Sequence, residues 1–194
     1  MGLSTIYQQI ILASSSKARI EYLRQKEIDF EVRPHKIDES VIKRNKKTFL
    51  EIVEELAEMK ARSVMGGKKE IIIGSDQVLI CDQKLMNKPD TIEEAKYNLL
   101  FLRNKEHKLI SSVVVVSKKK IIFKETSEAI LRMRNVSEVD IDTYLSRNKQ
   151  TALSCVGSYK IEENYKYNFL QVVKGDIETI IGFPINNFIE RIRR

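Results

Sequence analysis

One aspartate of this chain belongs to a polar segment that directly follows a predicted buried strand. The β-branched residues 71–73 lead into residues 74–77, and a continuous apolar run of this kind indicates a central strand covered on both faces. Ligands bind at the carboxyl edge of the strands in open α/β sheets, where a carboxylate can be held rigidly and partly removed from water. We therefore predict that Asp76 performs acid–base or metal chemistry, the alternative being an aspartate that caps a turn.

A serine-rich turn near the start of the sequence could bind phosphate. The apolar residues 9–13 are typical of a strand and residues 17–25 of a helix, with Ser14 and Ser16 in the turn between them. Such a junction points backbone N–H groups and the positive end of the helix dipole at a ligand beyond the strand. An ordinary serine N-cap is the alternative, and these residues alone leave both interpretations open.

Further charged residues could reach the same ligand. Arg19 lies one turn into the first predicted helix and Lys60 near the end of a long one. Lys88 stands immediately before a proline, and Glu39 belongs to an Asp-Glu loop. Each of these residues taken alone is more often a solvated surface charge, so their convergence on one charged ligand is a hypothesis.

Several common catalytic sites do not fit the sequence. His35 and His107 are isolated, and the two cysteines, Cys81 and Cys155, lack the spacing of metal ligands, which argues against a zinc site. The sequence has no GxSxG elbow, no GxxxxGK[ST] loop and no GxGxxG after a strand. We therefore exclude the P-loop and dinucleotide-binding interpretations, and the sequence does not suggest a Ser-His-Asp triad.

Tyrosines and lysines are interleaved between residues 159 and 167. Tyr159, Tyr165 and Tyr167 stand next to Lys160 and Lys166, a composition that suits a surface for single-stranded nucleic acid. A strand with alternating faces explains the same pattern. We favour the strand and expect no nucleic-acid partner.

The hydrophobic pattern predicts an α/β fold with a mixed β-sheet flanked by helices. Two apolar runs joined by a short polar turn predict a hairpin, and the alternation after it predicts a third strand beside them. The long second helix should end at Gly66 and Gly67, because helices favour glycine after their last turn. The predicted strands are residues 9–13, 30–34, 71–73 with a continuation at 78–81, 109–116, 120–123, 129–134 and 169–173. The predicted helices are residues 17–25, 48–65, 91–102, a short segment after Ser137, and 185–192.

Length and charge bound the possible functions. The chain has 194 residues with 34 Lys and Arg against 27 Asp and Glu, a net charge of +7. The length suits one domain, residues 1–194, or one domain with two lobes. The basic excess favours an anionic partner such as nucleic acid, a membrane surface or a phosphorylated metabolite.

The two cysteines are far apart in the sequence, which predicts a reducing cytosol as the compartment. No stretch approaches the ~20 apolar residues that cross a bilayer, so we expect a cytoplasmic protein without a membrane partner.

Short motifs follow one another along almost the whole chain. They are Leu12-Ala13-Ser14-Ser15-Ser16-Lys17-Ala18-Arg19, Asp38-Glu39-Ser40, Leu56-Ala57-Glu58-Met59-Lys60-Ala61, Ile73-Gly74-Ser75-Asp76-Gln77-Val78, Lys88-Pro89 and Gly182-Phe183-Pro184. In this order they resemble the LASxSPRR, DES, LAxxKA, GxD, KP and GLP motifs of the Maf family of nucleotide pyrophosphatases. Such an order is hard to obtain by chance.

This resemblance implies an elongated Maf/ITPase-like α/β fold with two lobes and a central cleft, and a homodimer. It also implies hydrolysis of a nucleoside triphosphate to a monophosphate and diphosphate, with Mg²⁺ or Mn²⁺ as cofactor. Attack on phosphorus needs a polarised water, a divalent ion and cations that absorb developing charge. The site residues that the resemblance implies are Asp76, Lys60 and Lys88 for catalysis, Ser14, Ser16, Arg19, Glu39, Gln77 and Glu162 for substrate binding, and Asp76 and Glu39 for the metal.

Two details resemble the family members that prefer 7-methyl-GTP. Gln77 stands where many members have Thr, and residues 155–162 are similar to the CAGSFKxE pattern of that subgroup. Glu162 would then face a methylated, positively charged guanine. The chain departs from the family in two places: residues 163–168 lack the glycines common there, which could change the edge of the pocket, and Lys17 and Ala18 replace the family's Pro and first Arg. One phosphate-binding cation is thereby lost unless Lys17 compensates.

Two other functions fit the same resemblance. The first is a non-catalytic binding protein, because the family is associated with inhibition of septum formation in cell division and a basic surface could serve DNA or a protein partner. Retention of Asp76, Lys60 and Lys88 together argues against it. The second is a house-cleaning enzyme for non-standard purine triphosphates, which a substrate panel would separate.

Overall fold

The computed structural model describes residues 9–38, 47–64 and 69–193. The strands are β1 (Gln9–Leu12), β2 (Glu31–Val32), β3 (Glu70–Cys81), β4 (Lys84–Met86), β5 (Glu106–Ser117), β6 (Lys120–Met133) and β7 (Leu170–Lys174). The helices are α1 (Lys17–Gln25), α2 (Phe49–Ser63), α3 (Ile92–Leu102), α4 (Glu138–Arg147), α5 (Lys149–Ser154), α6 (Asn164–Tyr167), α7 (Ile177–Ile180) and α8 (Asn186–Arg193). In this part of the chain no helix has the length and apolar character that crossing a bilayer requires.

The strands form a mixed sheet of seven in the order β2-β1-β3-β5-β6-β7, with β4 paired to β3. β1 runs parallel to both β2 and β3, whereas β4 is antiparallel to β3 and β7 is antiparallel to β6. The predicted α/β fold with a mixed sheet flanked by helices is therefore confirmed.

The chain divides into two compact units, each with its own core. The first unit comprises residues 1–77, 110–127 and 181–194, and the second comprises residues 78–109 and 128–180. The single domain that length predicts, with or without two lobes, stays a prediction.

In the first unit, alternate residues of β3 belong to two different apolar clusters. Ile71 and Ile73 pack in a cluster with residues of α1 and α8, among them Leu23 and Phe188. Ile72 packs instead with alanines of α2. Because successive side chains of a strand point to opposite faces, the odd-numbered residues at the start of β3 face α1 and α8, and the even-numbered ones face α2.

The second unit packs around α3, α4 and the second half of β6. Its buried cluster includes Leu99, Leu131 and Tyr144. The same cluster contains Tyr159, whose hydroxyl lies 2.6 Å from Nε2 of the buried His107. Burial lowers the pKa of His107 to about 4, because the charged imidazolium loses its hydration.

Several predicted elements are confirmed. α1 has the predicted bounds, and the Ser137 side chain caps α4 by accepting a hydrogen bond from Asp140 N. β5 and β6 are neighbours in the sheet and are joined by Lys118 and Lys119. Both lysines have positive φ, 48° and 65°, as the two-residue turn of a hairpin requires.

The third strand predicted for residues 129–134 is wrong, because these residues continue β6. Five polar residues, 124–128, separate the two predicted strands in the sequence. Within β6, however, Thr126 Oγ1 lies within hydrogen-bond distance of Glu54 Oε1 and Ser112 Oγ, at 3.0 Å from each. The strand keeps its polar residues because they have partners on neighbouring elements.

The strand predicted for residues 159–167 is also wrong. These residues form a 3-10 turn, Ile161–Glu163, and α6. The Asn164 side chain binds both backbone polar groups of Leu170, each at 2.8 Å, which fastens the helical turn to β7. The predicted strand 30–34 is reduced to β2, and Gly66 and Gly67 lie outside the described residues.

Candidate functional site

A buried ion pair joins the predicted catalytic residues Lys60 and Asp76. Lys60 Nζ donates to Asp76 Oδ1 at 2.5 Å, and the two side chains are 6% and 7% exposed. Asp76 is an even-numbered residue of β3, which accounts for its facing α2, where Lys60 lies. A charged pair this far from water is a costly feature that survives only with good geometry.

Gly74 explains how close α2 comes to β3. A Cβ added at Gly74 would overlap Ala57 O and Ala61 N of the helix, so the helix backbone lies directly on the strand. Lys60, one residue before Ala61, is thereby brought to Asp76. The start of α2 is fixed by a capping box, in which Thr48 and Glu51 bind each other's backbone N–H groups.

Asp76 lies within β3 and not after its end, so that detail of the sequence prediction is wrong. β3 continues to Cys81 and pairs there with β4. The parallel pairing with β1 nevertheless ends at the pair Leu12 and Ile73. Asp76 therefore lies beyond the carboxyl end of a parallel neighbour, which is the kind of edge where α/β sheets bind ligands.

Arg19 lies on the other side of β3, as a buried residue of α1. Its Nη1 donates to Ser75 O at 2.6 Å and is 3.5 Å from Ser14 Oγ. Ser14 is buried and its hydroxyl also accepts from Ser16 N at 3.2 Å. Three residues predicted to bind substrate are thus linked at the N-terminal end of α1.

Gln77 follows Ser75 on the same face of β3. It is half-buried, and its Nε2 donates to Ser111 Oγ at 3.0 Å. Ser111 belongs to β5 and has no exposed surface. The amide plane of Gln77 is therefore oriented by a buried hydroxyl.

Ser75 is a part of this arrangement that sequence reasoning missed. Its side chain is fully buried, and Oγ lies 2.8 Å from Ser112 O and 2.7 Å from Gly182 O. Serine hydroxyls occur everywhere in proteins, so nothing local distinguishes Ser75 or Ser111. The adjacent Asp76 was the available signal.

Two predicted residues, Lys88 and Glu162, belong to the second unit and are exposed. Both lie near Cys155, where burial raises the pKa of the thiol, Glu162 raises it further, and Lys160 and Lys88 lower it. A short region of this unit therefore brings together a cation and a carboxylate that were predicted to contact the nucleotide.

The first unit contains a carboxylate whose chemistry suits a divalent cation. Glu39 lies outside the described residues, and within residues 9–38, 47–64 and 69–193 no cluster of three His, Cys, Asp or Glu side chains could hold a metal. Mg²⁺ usually binds through one or two carboxylates together with waters and substrate phosphates. Asp76 can supply one such carboxylate. The site therefore fits an ion whose other ligands come from a phosphorylated ligand and from water.

Known proteins are similar to this chain over nearly its whole length. A protein from Pelagibacter ubique (strain HTCC1062) named nucleoside triphosphate pyrophosphatase is 32% identical over 191 residues, 96% of this chain and 97% of the relative. Another of that name, from Paramagnetospirillum magneticum (strain ATCC 700264 / AMB-1), is 36% identical over 188 residues, 94% of this chain and 96% of the relative. A structure of a HAM1 protein from Coxiella burnetii aligns with 66% of this chain and 74% of its own chain at 11% identity, with a TM-score of 0.37.

A family model supports the same relationship. The model described as Maf-like protein matches residues 9–194. This match includes the buried pair of Lys60 and Asp76, the Arg19 and Ser14 contact, and the loop at Gly182. The chain therefore belongs to the family of Maf-like proteins.

Proposed function

We propose that this protein hydrolyses a nucleoside triphosphate between its α and β phosphates, releasing a nucleoside monophosphate and diphosphate. The observation that carries the proposal is the buried pair of Lys60 and Asp76, with Arg19 held on the opposite face of the same strand. The names of the relatives at 32% and 36% identity support the same activity.

In the proposed reaction, a water oxygen bonds to the α phosphorus and the bond from that phosphorus to the bridging oxygen breaks. Diphosphate leaves with the electrons of the broken bond. Asp76 accepts a proton from the attacking water, as a rigidly held carboxylate can. Its contact with Lys60 at 2.5 Å keeps the carboxylate in one orientation.

The cations have a complementary task in this proposal. Lys60 carries three N–H donors, so it can contact Asp76 and a phosphate oxygen together. Arg19, Lys88, Ser14 and Ser16 would bind the remaining phosphate oxygens. Because the charge on these oxygens grows in the transition state, fixed cations stabilise that state more than the bound substrate.

The proposed cofactor is Mg²⁺ or Mn²⁺, held by Asp76 and Glu39. Such an ion supplies a polarised water and neutralises phosphate charge. Asp76 has the chemistry for this role, because carboxylates and phosphates are the ligands that these hard cations prefer.

For the base, we propose 7-methyl-GTP or another modified nucleotide. Methylation makes the guanine ring positively charged, and an exposed carboxylate such as Glu162 attracts that charge more than it attracts an unmodified base. Glu162→Gln should therefore lower the preference for 7-methyl-GTP over GTP, measured as the ratio of kcat/KM values. Glu138→Gln, a surface carboxylate paired with Lys96, is the matched control. An unchanged ratio would assign base recognition to another residue.

The test of the reaction is diphosphate release with Mg²⁺ or Mn²⁺ from 7-methyl-GTP, UTP, dTTP, CTP and ITP. We expect release to be selective for one triphosphate and to be lost in Asp76→Asn. The control is Asp142→Asn, which removes an exposed aspartate paired with Lys96. Preference for ITP would indicate a house-cleaning enzyme for non-standard purines. No release from any triphosphate by the folded protein would reject the enzyme and favour the binding protein linked to septum formation.

We further propose a cytoplasmic homodimer, the state that the family resemblance implies. Light scattering on the purified protein measures the mass, which for one chain is 22.5 kDa. A mass of a single chain at all concentrations tested would reject the dimer.

A further inference from the structure

Gly182 packs against two of the residues that are proposed to bind substrate. It precedes α8 and has φ of 81°, in the left-handed region that favours glycine. A Cβ added there would lie 3.0 Å from Arg19 Nη2 and 3.2 Å from Gln77 Cβ. Because glycine has no Cβ, the Arg19 and Gln77 side chains can pack directly against its backbone.

Ser75 fastens the same glycine to β3. Its hydroxyl lies 2.7 Å from Gly182 O, and its own carbonyl accepts from Arg19 Nη1 at 2.6 Å. Ser75 therefore fixes both Arg19 and the loop that packs on Arg19. Since the residue is fully buried, water does not compete for these hydrogen bonds.

The residues that follow Gly182 are tied to α1, the helix that carries Arg19. Phe183 is fully buried and makes an edge contact with the Tyr22 ring, with 6.2 Å between centroids. The Tyr22 hydroxyl donates to Asn186 Oδ1 at 2.8 Å. Gly182 is thus held on one side by β3 and on the other by a segment docked on α1.

We propose that Gly182 and Ser75 are positioning residues, which hold the Arg19 guanidinium and the Gln77 amide in the orientation that binds the nucleoside triphosphate. This inference rests on the proposed function. A guanidinium binds phosphate through a rigid planar fork, so a small displacement misaligns it. Errors of about 1 Å in a binding group can cost up to about a hundredfold in rate.

The first test compares two glycine variants. Gly182→Ala should raise KM for the preferred triphosphate about tenfold or more, with a smaller effect on kcat. Gly175→Ala is the matched control, because Gly175 also has positive φ, 101°, and an added Cβ would lie 2.6 Å from Ala129 Cβ in the second unit. Both variants should lose stability, and KM should rise in Gly182→Ala alone. Equal KM changes in the two would overturn the proposal.

The second variant avoids backbone strain. Ser75→Ala removes the hydroxyl tie to Gly182 and leaves the glycine in place, so its KM should also rise, and by less than in Gly182→Ala. If Gly182→Ala fails to fold, this variant decides the question. A KM equal to that of the native protein in a folded Ser75→Ala would overturn the role of Ser75.

A third measurement does not depend on activity. In NMR spectra, the Arg19 Nε–Hε signal and the Gln77 side-chain amide signals, assigned by their loss in Arg19→Lys and Gln77→Glu, should shift or broaden in Gly182→Ala and remain in place in Gly175→Ala. If the native protein releases no diphosphate from any nucleotide, the proposed function fails while these signals still report on positioning. If the Arg19 and Gln77 signals are unchanged in Gly182→Ala, Gly182 does not position these side chains, whatever the activity of the variant.

Discussion

Lys60 Nζ and Asp76 Oδ1 lie 2.5 Å apart, on side chains of which more than nine-tenths is buried. The pair links a helix and a strand whose backbones touch at Gly74. A buried ion pair differs from an exposed one, because removal of one partner leaves the other charge without compensation and without water. Stability and activity should therefore respond differently to changes at this pair.

Single and double substitutions separate the two contributions. Lys60→Met should destabilise the protein by about 3–5 kcal/mol, since the Asp76 charge stays buried without its partner. The double variant Lys60→Met with Asp76→Asn removes both charges and should recover most of that loss, while diphosphate release remains absent. Urea unfolding and the release assay measure the two effects. A double variant no more stable than Lys60→Met would show that the charges are not coupled.

The approach of α2 to β3 at Gly74 gives a second prediction. In Gly74→Ala the added methyl group overlaps Ala57 O and Ala61 N, so the helix must move away and take Lys60 with it. We expect a loss of about 1–3 kcal/mol or more in unfolding free energy together with a large loss of activity. The control is Val78→Ala, at a buried position later in β3, which should lose stability because it leaves a cavity. For a similar loss of unfolding free energy, Val78→Ala should keep more activity than Gly74→Ala.

Sequence patterns predicted the elements that bury apolar faces and the residues that carry charge. The helix that starts at Lys17 is an example of the first kind. Lys60 and Asp76 are examples of the second, although the ion pair between them was not predicted. The roles of Ser75 and Ser111 could not be predicted, because their partners are contributed by residues more than thirty positions away. The continuous β6 was missed for the same reason, since Thr126 stays in the strand through bonds to distant side chains.

Acid should destabilise the second unit through His107. Burial lowers the pKa of His107 to about 4, whereas in the unfolded chain it is about 6.5. Between these values the unfolded state binds the extra proton, so stability is fully present above pH ~6.5 and falls by about 3 kcal/mol as the pH drops to about 4. Urea unfolding between these pH values should show a flatter profile in His107→Gln. Asn98→Gln, at a half-buried amide of the same unit that does not titrate, is the control and should keep the native slope.

The hydrogen bond between Ser111 and Gln77 gives a prediction about the preference for one nucleoside triphosphate over others. Its hydroxyl accepts from Gln77 Nε2 at 3.0 Å inside the sheet, and one such bond contributes about 1 kcal/mol, roughly fivefold in an equilibrium constant. Ser111→Ala should release the Gln77 amide and change kcat/KM for the preferred triphosphate by about that factor, with little change for poor substrates. Ser111→Thr keeps the hydroxyl and is the matched control. If Ser111→Ala lowers kcat/KM for every triphosphate equally, the hydroxyl supports the fold of β3 and β5 and not the choice of base.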